Sequence, residues 1–389
     1  MKRVAGFVVA VCLFAAATQA QTTTRTPHIG FVYPAGGQQG TEFTVIVGGQ
    51  YLTGVKAAWI SGTGVSAEIV YHARFIRMLN TDQRKILQRR LIECRAKLNG
   101  EKLKPFPPSL EVPEGVSLPA HPLLDTLDQM SLAELDAVEK QFLKFDPKKQ
   151  PNAQIGETVK LKITVAPDAA PGDRELRLDT TAVLTNALCF QVGPFPEVRE
   201  TEPNDPRPFG VVKPVPFDVP VVINGQVDPG DVDRIPFTAK KGQRLVVQAQ
   251  ARHLIPFLAD AVPGWFQATL SLYDEAGREL AFADDFRFHP DPVLYYEIPQ
   301  DGVYEVEIRD SIYRGREDFV YRIVVAERPF ITEIFPLGGK TNAPLTASIG
   351  GWNLPKDTIE LNTAPQGPIL REAVLRSGAG ISNPVPYTV

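Results

Sequence analysis

The sequence predicts a mainly β protein made of several β-sandwiches, with a helical hairpin inserted into the first of them. Stretches of alternating apolar and polar residues, such as Thr158-Val159-Lys160-Leu161-Lys162-Ile163, recur along the chain and are typical of half-buried strands. The 30 glycines and 35 prolines suit the many turns that short strands need. At 389 residues, the chain is long enough for two or three domains, each with its own core.

The N-terminus has the organisation of a secretory signal peptide, which we assign to residues 1–20. Lys2 and Arg3 precede an apolar stretch at 4–17, and small residues at 18–20 permit cleavage after Ala20. We therefore expect an exported protein, located in the periplasm, at the cell surface or outside the cell. No later apolar run is long enough to predict a membrane span. The net charge of −4 argues against a nucleic-acid-binding protein.

Two cysteines follow the predicted signal peptide, Cys94 and Cys189, while Cys12 lies within it. Export permits a disulfide. However, Cys94 falls in a predicted helix with apolar spacing and Cys189 in a predicted strand. We therefore expect two buried free thiols.

The beginning and the end of the chain carry the same pattern, because residues 28–52 align with residues 330–354. The matched pairs are Pro34 with Pro336, Gly36-Gly37 with Gly338-Gly339, Gly48-Gly49 with Gly350-Gly351, and Leu52 with Leu354. Further along, Thr185-Asn186 resembles Ser382-Asn383. We predict one module at 28–193 and a second copy at 330–389. The pattern resembles the IPT/TIG family of immunoglobulin-like domains, a resemblance that implies β-sandwiches acting mostly as spacers or adhesion modules.

The first module is interrupted at about 74–147 by a predicted helical hairpin. The first helix has an apolar face and ends at Asn99-Gly100, and a second begins with a capping box at Ser131 and Glu134. The apolar residues predicted to line the two helices are Leu87, Leu91, Cys94, Leu98, Leu132, Leu135, Val138 and Phe142.

The first helical region is strongly basic. Its cations are Arg74, Arg77, Arg84, Lys85, Arg89, Arg90, Arg95 and Lys97. They could form a patch for an acidic polysaccharide or a cell surface. The interpretation that we favour is a solvated helix face whose partners come from the acidic second helix.

Residues 200–233 concentrate acidic side chains with almost no compensating Lys or Arg. The segment 200–205 reads Glu-Thr-Glu-Pro-Asn-Asp, and the segment 228–233 reads Asp-Pro-Gly-Asp-Val-Asp. Crowded carboxylates repel one another unless a cation lies among them, and Ca²⁺ takes six to eight oxygen ligands of this kind. The alternative is an acidic linker followed by a solvated turn.

The region from this acidic segment onward, over about residues 200–327, resembles the bacterial pre-peptidase C-terminal (PPC) domain. The resemblance rests on Gly225, the segment 230–233, Leu270-Ser271-Leu272-Tyr273-Asp274, Asp301-Gly302-x-Tyr304 and Tyr321-Arg322-Ile323-Val324-Val325. It implies a jelly-roll-like β-sandwich at 206–327, preceded by an acidic linker at 194–205. It also implies similarity to the collagen-binding modules of bacterial collagenases.

In those modules a linker of pattern E-x-E-x-N-D supplies calcium ligands, so the resemblance implies a Ca²⁺ site here. Its ligands would be Glu200, Glu202, Asn204, Asp205, Asp231 and Asp233, with Asp228 as a substitute. We expect calcium to set the geometry between the first two sandwiches, so that its removal loosens the linker and lets the first sandwich swing.

Motifs of catalysis are missing from the sequence: it has no H-E-x-x-H, no G-x-S-x-G and no phosphate-binding loop. We therefore expect no enzyme and no catalytic residues. The predicted function is binding or adhesion to an extracellular protein or polysaccharide. Two alternatives stay open: an accessory or targeting region of a secreted hydrolase such as a protease, and a structural surface spacer.

Overall fold

The computed structural model describes residues 25–76, 78–144, 152–202, 204, 215–255, 264–378 and 380–389. The predicted signal peptide at 1–20 lies outside the described residues. Strands account for 44% of the structure and helices for 13%, arranged as several sheets with a small helical insertion. The predicted fold class is therefore confirmed. Within the described part of the chain, no helix combines the length and hydrophobicity needed to cross a membrane.

Residues 28–193 contribute two four-stranded sheets, one ordered β1-β3-β6-β5 and the other β2-β8-β7-β4. These strands are β1 (His28–Tyr33), β2 (Gly36–Gln38), β3 (Glu42–Gln50), β4 (Val55–Ile60), β5 (Val65–Ala73), β6 (Glu157–Val165), β7 (Gly172–Thr180) and β8 (Leu188–Gly193). Apolar residues from both sheets, including Val47, Leu161 and Phe190, form one buried core. The alternation in the sequence thus turns every second side chain inward.

The helical segment connects β5 to β6, which pair antiparallel along their length. In an antiparallel pair, the end of the first strand lies beside the start of the second. The helical segment therefore leaves and rejoins the sheet at the same end of these two strands. It contains α1 (Thr81–Asn99), α2 (Pro122–Asp125) and α3 (Leu132–Phe142), with short 3-10 turns at Pro108–Leu110 and Leu127–Gln129. These elements share a separate small core.

Both main helices begin with a capping box, at Asn80 with Gln83 and at Ser131 with Glu134. The predicted α1 face is correct for Leu87, Leu91 and Cys94, which are buried. The predicted apolar faces are wrong for Leu98, near the end of α1, and for Leu132, the first residue of α3, because both side chains are exposed.

The basic face of α1 pairs with acidic residues across the hairpin. Arg90 contacts Asp128 at 2.6 Å, and Arg95 contacts both Asp136 and Glu139 at 2.5 Å. The solvated-face interpretation therefore accounts for Arg90 and Arg95, two of the eight cations in this region.

Asn80→Ala is expected to destabilise the helical hairpin by about 1 kcal/mol, because the Asn80 side chain accepts the Gln83 amide N–H at 2.8 Å. Denaturant unfolding followed by circular dichroism measures this cost. Asn80→Ser keeps an acceptor oxygen and should remain close to wild type. Equal losses in both variants would contradict the capping role.

The middle sandwich has two five-stranded sheets, ordered β16-β13-β18-β11-β9 and β10-β12-β17-β14-β15. Its strands are β9 (Glu197–Arg199), β10 (Phe217–Asp218), β11 (Val221–Gln226), β12 (Asp233–Ala239), β13 (Arg244–Gln250), β14 (Ala268–Asp274), β15 (Glu279–Ala283), β16 (Val293–Glu297), β17 (Gly302–Asp310) and β18 (Val320–Ala326). The sheets enclose a core that includes Phe237, Leu270 and Tyr304. A 3-10 turn at Arg252–Leu254 comes after β13.

The last part of the chain forms smaller sheets. Its strands are β19 (Phe330–Phe335), β20 (Thr346–Trp352), β21 (Thr358–Glu360), β22 (Leu370–Ala373), β23 (Arg376–Ser377), β24 (Gly380–Ile381) and β25 (Val385–Thr388). The sheet β19-β20-β21 and the pairs β22-β25 and β23-β24 surround one core.

The sequence repeat has a structural counterpart in one side-chain clamp. Asn186 accepts the Ile29 amide N–H and donates to the Ile29 carbonyl, at 2.9 Å each. Asn383 makes the same two bonds to Ile331, at 2.7 and 2.9 Å. In both copies the register of the first strand pair shifts at the same place, just after the clamped isoleucine.

Both junctions between sandwiches are packed. Leu254 and Ile255, beyond the end of β13, are buried in the core of the first sandwich. At the other junction, Trp352 stacks on Tyr295 with ring centroids 5.3 Å apart. The neighbouring modules are thus held by apolar contacts as well as by the chain.

Candidate metal centre at the entrance of the middle sandwich

The segment that we interpreted as an acidic linker enters the middle sandwich as a strand. β9 pairs in parallel with β11, from Glu197 opposite Val222 to Arg199 opposite Asn224. The Glu200 amide then donates to the Asn224 carbonyl at 2.9 Å. These backbone bonds direct the next acidic residues onto the end of the sandwich.

Glu200 is held by three donors. Its carboxylate accepts hydrogen bonds from the Tyr321 hydroxyl at 2.6 Å, the Gln226 backbone amide at 2.6 Å and the Asn204 side-chain amide at 3.1 Å. Gly225 makes room for it, because a Cβ at that position would lie 2.2 Å from the Tyr321 ring and 2.4 Å from the Glu200 carboxylate. The sequence thus builds a cradle for one carboxylate.

Asp233, the first residue of β12, is 0% exposed. Among the described residues, neither of its carboxylate oxygens makes a hydrogen bond of normal geometry, although Glu200 and Tyr321 lie close to it. The buried side-chain oxygen of Asn204 likewise makes none. Buried polar atoms of native proteins are nearly always paired, so three such oxygens side by side point to a missing partner.

Three carboxylates converge at this point: one oxygen each from Glu200, Glu202 and Asp233, all within 4.8 Å of one another. Asn204 is fixed beside them, since its carbonyl accepts the Arg234 amide at 3.0 Å. The segment at 200–204 and the start of β12 therefore face each other across one small site.

The electrostatics of this cluster disfavour ionisation. Glu202 is the exposed member of the group, yet partial desolvation and the nearby Asp231 and Glu200 carboxylates raise its pKa to about 7. Burial, together with Glu200, holds the pKa of Asp233 well above its ordinary value, and burial also raises the pKa of Glu200. Without a cation, keeping these groups charged destabilises the folded state.

The remaining predicted ligands differ in their placement. Asp231 is buried nearby, but its carboxylate accepts the amides of Asp228 and Val232, each at 3.1 Å, in the turn before β12. Neither Asp231 nor Asp228 belongs to the three-carboxylate group. Asp205 lies outside the described residues.

The sequence interpretation missed the role of Tyr321. Its phenol is fully buried against Glu200, and burial together with Asp233 raises its pKa well above the usual range. The signal was available, since the hydroxyl of a tyrosine buried in a core strand usually needs a hydrogen-bond partner.

Several aromatic residues of the middle sandwich belong to its core, among them Phe266 and Tyr304. Trp265 packs against the first sandwich, and the Arg252 guanidinium lies 3.7 Å from its ring centroid. Tyr295 and Tyr296 are both half-buried, on opposite faces of β16.

The donor set fits a hard cation. It comprises carboxylate oxygens and an amide oxygen, which suit Ca²⁺ and disfavour zinc. A bound divalent cation would give the unpaired oxygens of Asp233 and Asn204 their missing partner. It would also remove the repulsion that raises the carboxyl pKa values.

No protein-family model matches the chain. No curated protein matches it either. Among solved structures, the PPC domain of the Bacillus anthracis collagenase matches with 12% identity and a TM-score of 0.21, over 34% of this chain and 96% of that domain.

Two further similarities span more of the chain. The secreted serine protease VesC of Vibrio cholerae matches with 7% identity and a TM-score of 0.19, over 78% of this chain and 51% of that one. The Bacteroides ovatus glucan-utilisation protein SGBP-B, solved with a mixed-linkage heptasaccharide, matches with 7% identity and a TM-score of 0.18. That match covers 70% of this chain and 71% of that one. With values this low, none of these similarities supports an inference about ligand or activity.

Proposed function

We propose that this chain is a non-catalytic, exported binding or adhesion protein whose middle sandwich holds one Ca²⁺ ion at its entrance. The observation that carries the calcium site is Asp233, a fully buried carboxylate with both oxygens unpaired beside Glu200 and Glu202. The absence of catalytic motifs from the sequence and the tandem sandwich architecture favour binding over catalysis. The resemblances to PPC and IPT/TIG domains point the same way.

The ligands that we propose are Glu200, Glu202, Asn204 and Asp233, with Asp205 and Asp231 completing the set. In this arrangement Asp231 exchanges at least one of its turn hydrogen bonds for the metal. Calcium would supply charge neutralisation and order, and nothing at the site requires it to take part in a reaction.

The packing between the first two sandwiches changes the expected consequence of calcium loss. Arg322 of β18 pairs with Glu197 at 2.8 Å and donates to Gln191 of β8 at 3.1 Å. Leu254 and Ile255 insert into the first core. Because these contacts do not involve the cluster, we now expect calcium removal to loosen residues 200–204 locally while the sandwiches remain docked.

Calorimetric titration of the purified protein with calcium is expected to show one site with a Kd of roughly 10⁻⁴–10⁻³ M, typical of extracellular modules. Glu202→Ala should weaken that binding at least about tenfold, since a charged ligand is lost. The matched control is Glu275→Ala, an exposed glutamate in the β14–β15 turn, which should bind as wild type. Unchanged binding by Glu202→Ala, or no binding at millimolar calcium, would favour the acidic-linker alternative.

The binding function is tested separately with glycan and matrix-protein arrays, probed with and without a calcium chelator. Selective binding to an extracellular polysaccharide or protein supports the proposal. Hydrolysis of casein, esters or glycans, abolished by a single substitution, would overturn the non-catalytic assignment.

A further inference from the structure

A second cluster of metal-ligating side chains lies where the first sandwich meets the middle one. It consists of Asp173 on β7, Cys189 on β8 and His253 in the 3-10 turn after β13, whose ligating atoms all lie within 4.8 Å of one another. From these three residues we propose a site for a divalent transition-metal ion of the zinc class, clasping the two sandwiches together.

The sheet register explains how Asp173 and Cys189 come to lie on one face. Asp173 is opposite Gln191 in the β7–β8 pair, and Cys189 is two residues from Gln191 along β8. Leu188, Phe190 and Val192 alternate with them and point into the core. Cys189 and Asp173 are therefore diagonal neighbours on the outer face, within reach of one ion.

His253 is brought over this face by its own turn. Leu254, the next residue, is buried in the first sandwich core. Asp291 accepts the backbone amides of Arg252 and His253 at 2.7 and 2.9 Å. The His253 ring then reaches Asp173, with its Nε2 2.6 Å from a carboxylate oxygen.

The surroundings resemble the outer shell of a metal site. Gln191 donates to the second oxygen of Asp173 at 2.7 Å and accepts from Arg322 at 3.1 Å. The Arg322 charge is in turn neutralised by Glu197. Such partners orient ligating groups and are a regular feature of metal centres.

The chemistry of the donors selects the ion. A thiolate, an imidazole and a carboxylate form a mixed ligand set that Zn²⁺ accepts and Ca²⁺ does not. Three protein ligands leave a fourth position, and Asp173 and His253 are exposed, so water can complete the tetrahedron.

A Cys-His-Asp hydrolase would need the same residues in a different state. Hydrogen bonds to Asp173 and Cys189 raise the pKa of His253 to about 11, which disfavours the neutral imidazole that a general base requires. Burial raises the pKa of the Cys189 thiol, which disfavours a free nucleophilic thiolate. Zinc would displace both protons on binding.

Cobalt(II) is the probe, titrated into the tag-free full chain with millimolar calcium present to occupy the acidic cluster. The expected result is one equivalent of cobalt with a thiolate-to-cobalt charge-transfer band, abolished by addition of equimolar zinc. Cys189→Ser should remove the band. Cys94→Ser, which alters the buried thiol of the helical hairpin, should keep it.

His253→Gln should weaken cobalt binding by more than about 100-fold, beyond what the loss of an outer-shell partner costs. Its matched control is His72→Gln, because His72 also pairs with a carboxylate, that of Glu157, at 3.0 Å. Because His253 is exposed, its variant should fold like wild type by circular dichroism. A missing band, a band that survives Cys189→Ser, or equal losses in the two histidine variants would overturn the proposal.

Discussion

Asp310→Asn is expected to destabilise the protein by about 3 kcal/mol at neutral pH, because it breaks a buried charge pair from one side. Asp310 ends β17 and is 0% exposed. Its carboxylate accepts backbone amides from Gln267, Ile312 and Arg314, and it binds the Arg314 guanidinium at 2.8 and 2.9 Å. Removing one partner of a buried ion pair usually costs about 3–5 kcal/mol. We expect the lower end of that range because Arg314 keeps some access to water.

The same change should remove a pH dependence. Burial alone would raise the pKa of Asp310, but the bonds from Arg314 and the three amides outweigh it and hold that pKa below its ordinary value. A depressed carboxyl pKa contributes stability that is complete above the unfolded value, about 3.9, and is lost as the pH falls through the folded value. The difference in the free energy of unfolding between wild type and Asp310→Asn should therefore become smaller below about pH 4.

The matched control for Asp310 is Asp274→Asn, since Asp274 pairs with Arg278 at the same sequence spacing. Arg278 is 78% exposed, so this variant should cost clearly less than Asp310→Asn. Chemical denaturation at several pH values measures both variants. Similar costs at the two sites would contradict the assignment of Asp310 as a buried anchor.

The repeat could be predicted from sequence because its glycines are required by a close approach of two neighbouring strands. A Cβ at Gly49 would lie 2.2 Å from the His28 carbonyl, and one at Gly351 would lie 2.0 Å from the Phe330 carbonyl. The two strands cannot approach this closely with any other residue, so the motif is visible without knowledge of the fold. The helical insertion was predictable for the same reason, since capping and periodicity are local.

Contacts between segments that are distant in sequence were not predictable in this way. The parallel pairing of β9 with β11 turns an apparent linker into part of a sheet. Nothing within residues 194–205 indicates that partner strand. Likewise, Asp173, Cys189 and His253 are distant in sequence and meet only because Leu254 docks into the first sandwich.

The acidic cluster was predictable in composition but only partly in geometry. The E-x-E-x-N-D resemblance singled out Glu200 and Glu202, and the fold brings both to Asp233. It could not show that the turn before β12 uses the Asp231 carboxylate as a hydrogen-bond acceptor. It also could not show that Asp233 lies fully buried, a property that depends on both sheets.

Asp233→Asn is expected to have opposite effects on stability with and without calcium. In chelator at neutral pH, the wild-type folded state carries a buried carboxylate whose oxygens lack partners among the described residues. An amide at this position removes the buried charge and its repulsion by Glu200, so the variant should be more stable than wild type in chelator. In calcium the order should reverse, because only the wild type retains the full ligand set.

The pH dependence of stability distinguishes this reversal from an ordinary structural effect. Since burial and Glu200 hold the pKa of Asp233 well above its ordinary value, calcium-free wild type loses stability as the pH rises above about 3.9. The higher stability of Asp233→Asn in chelator, relative to wild type, should therefore disappear below about pH 4. At ten times the Kd, calcium adds about 1.4 kcal/mol to wild type, and it should add almost nothing to the variant.

Thermal unfolding in calcium and in chelator, at neutral pH and near pH 4, measures all four combinations. Asp285→Asn, at an exposed position in the same sandwich, makes the same change of charge and should behave as wild type throughout. If Asp233→Asn destabilised the protein equally with and without calcium, Asp233 would be a structural acceptor rather than a metal ligand. The unpaired oxygens of Asp233 would then require a different partner, and the calcium site would have to be given up.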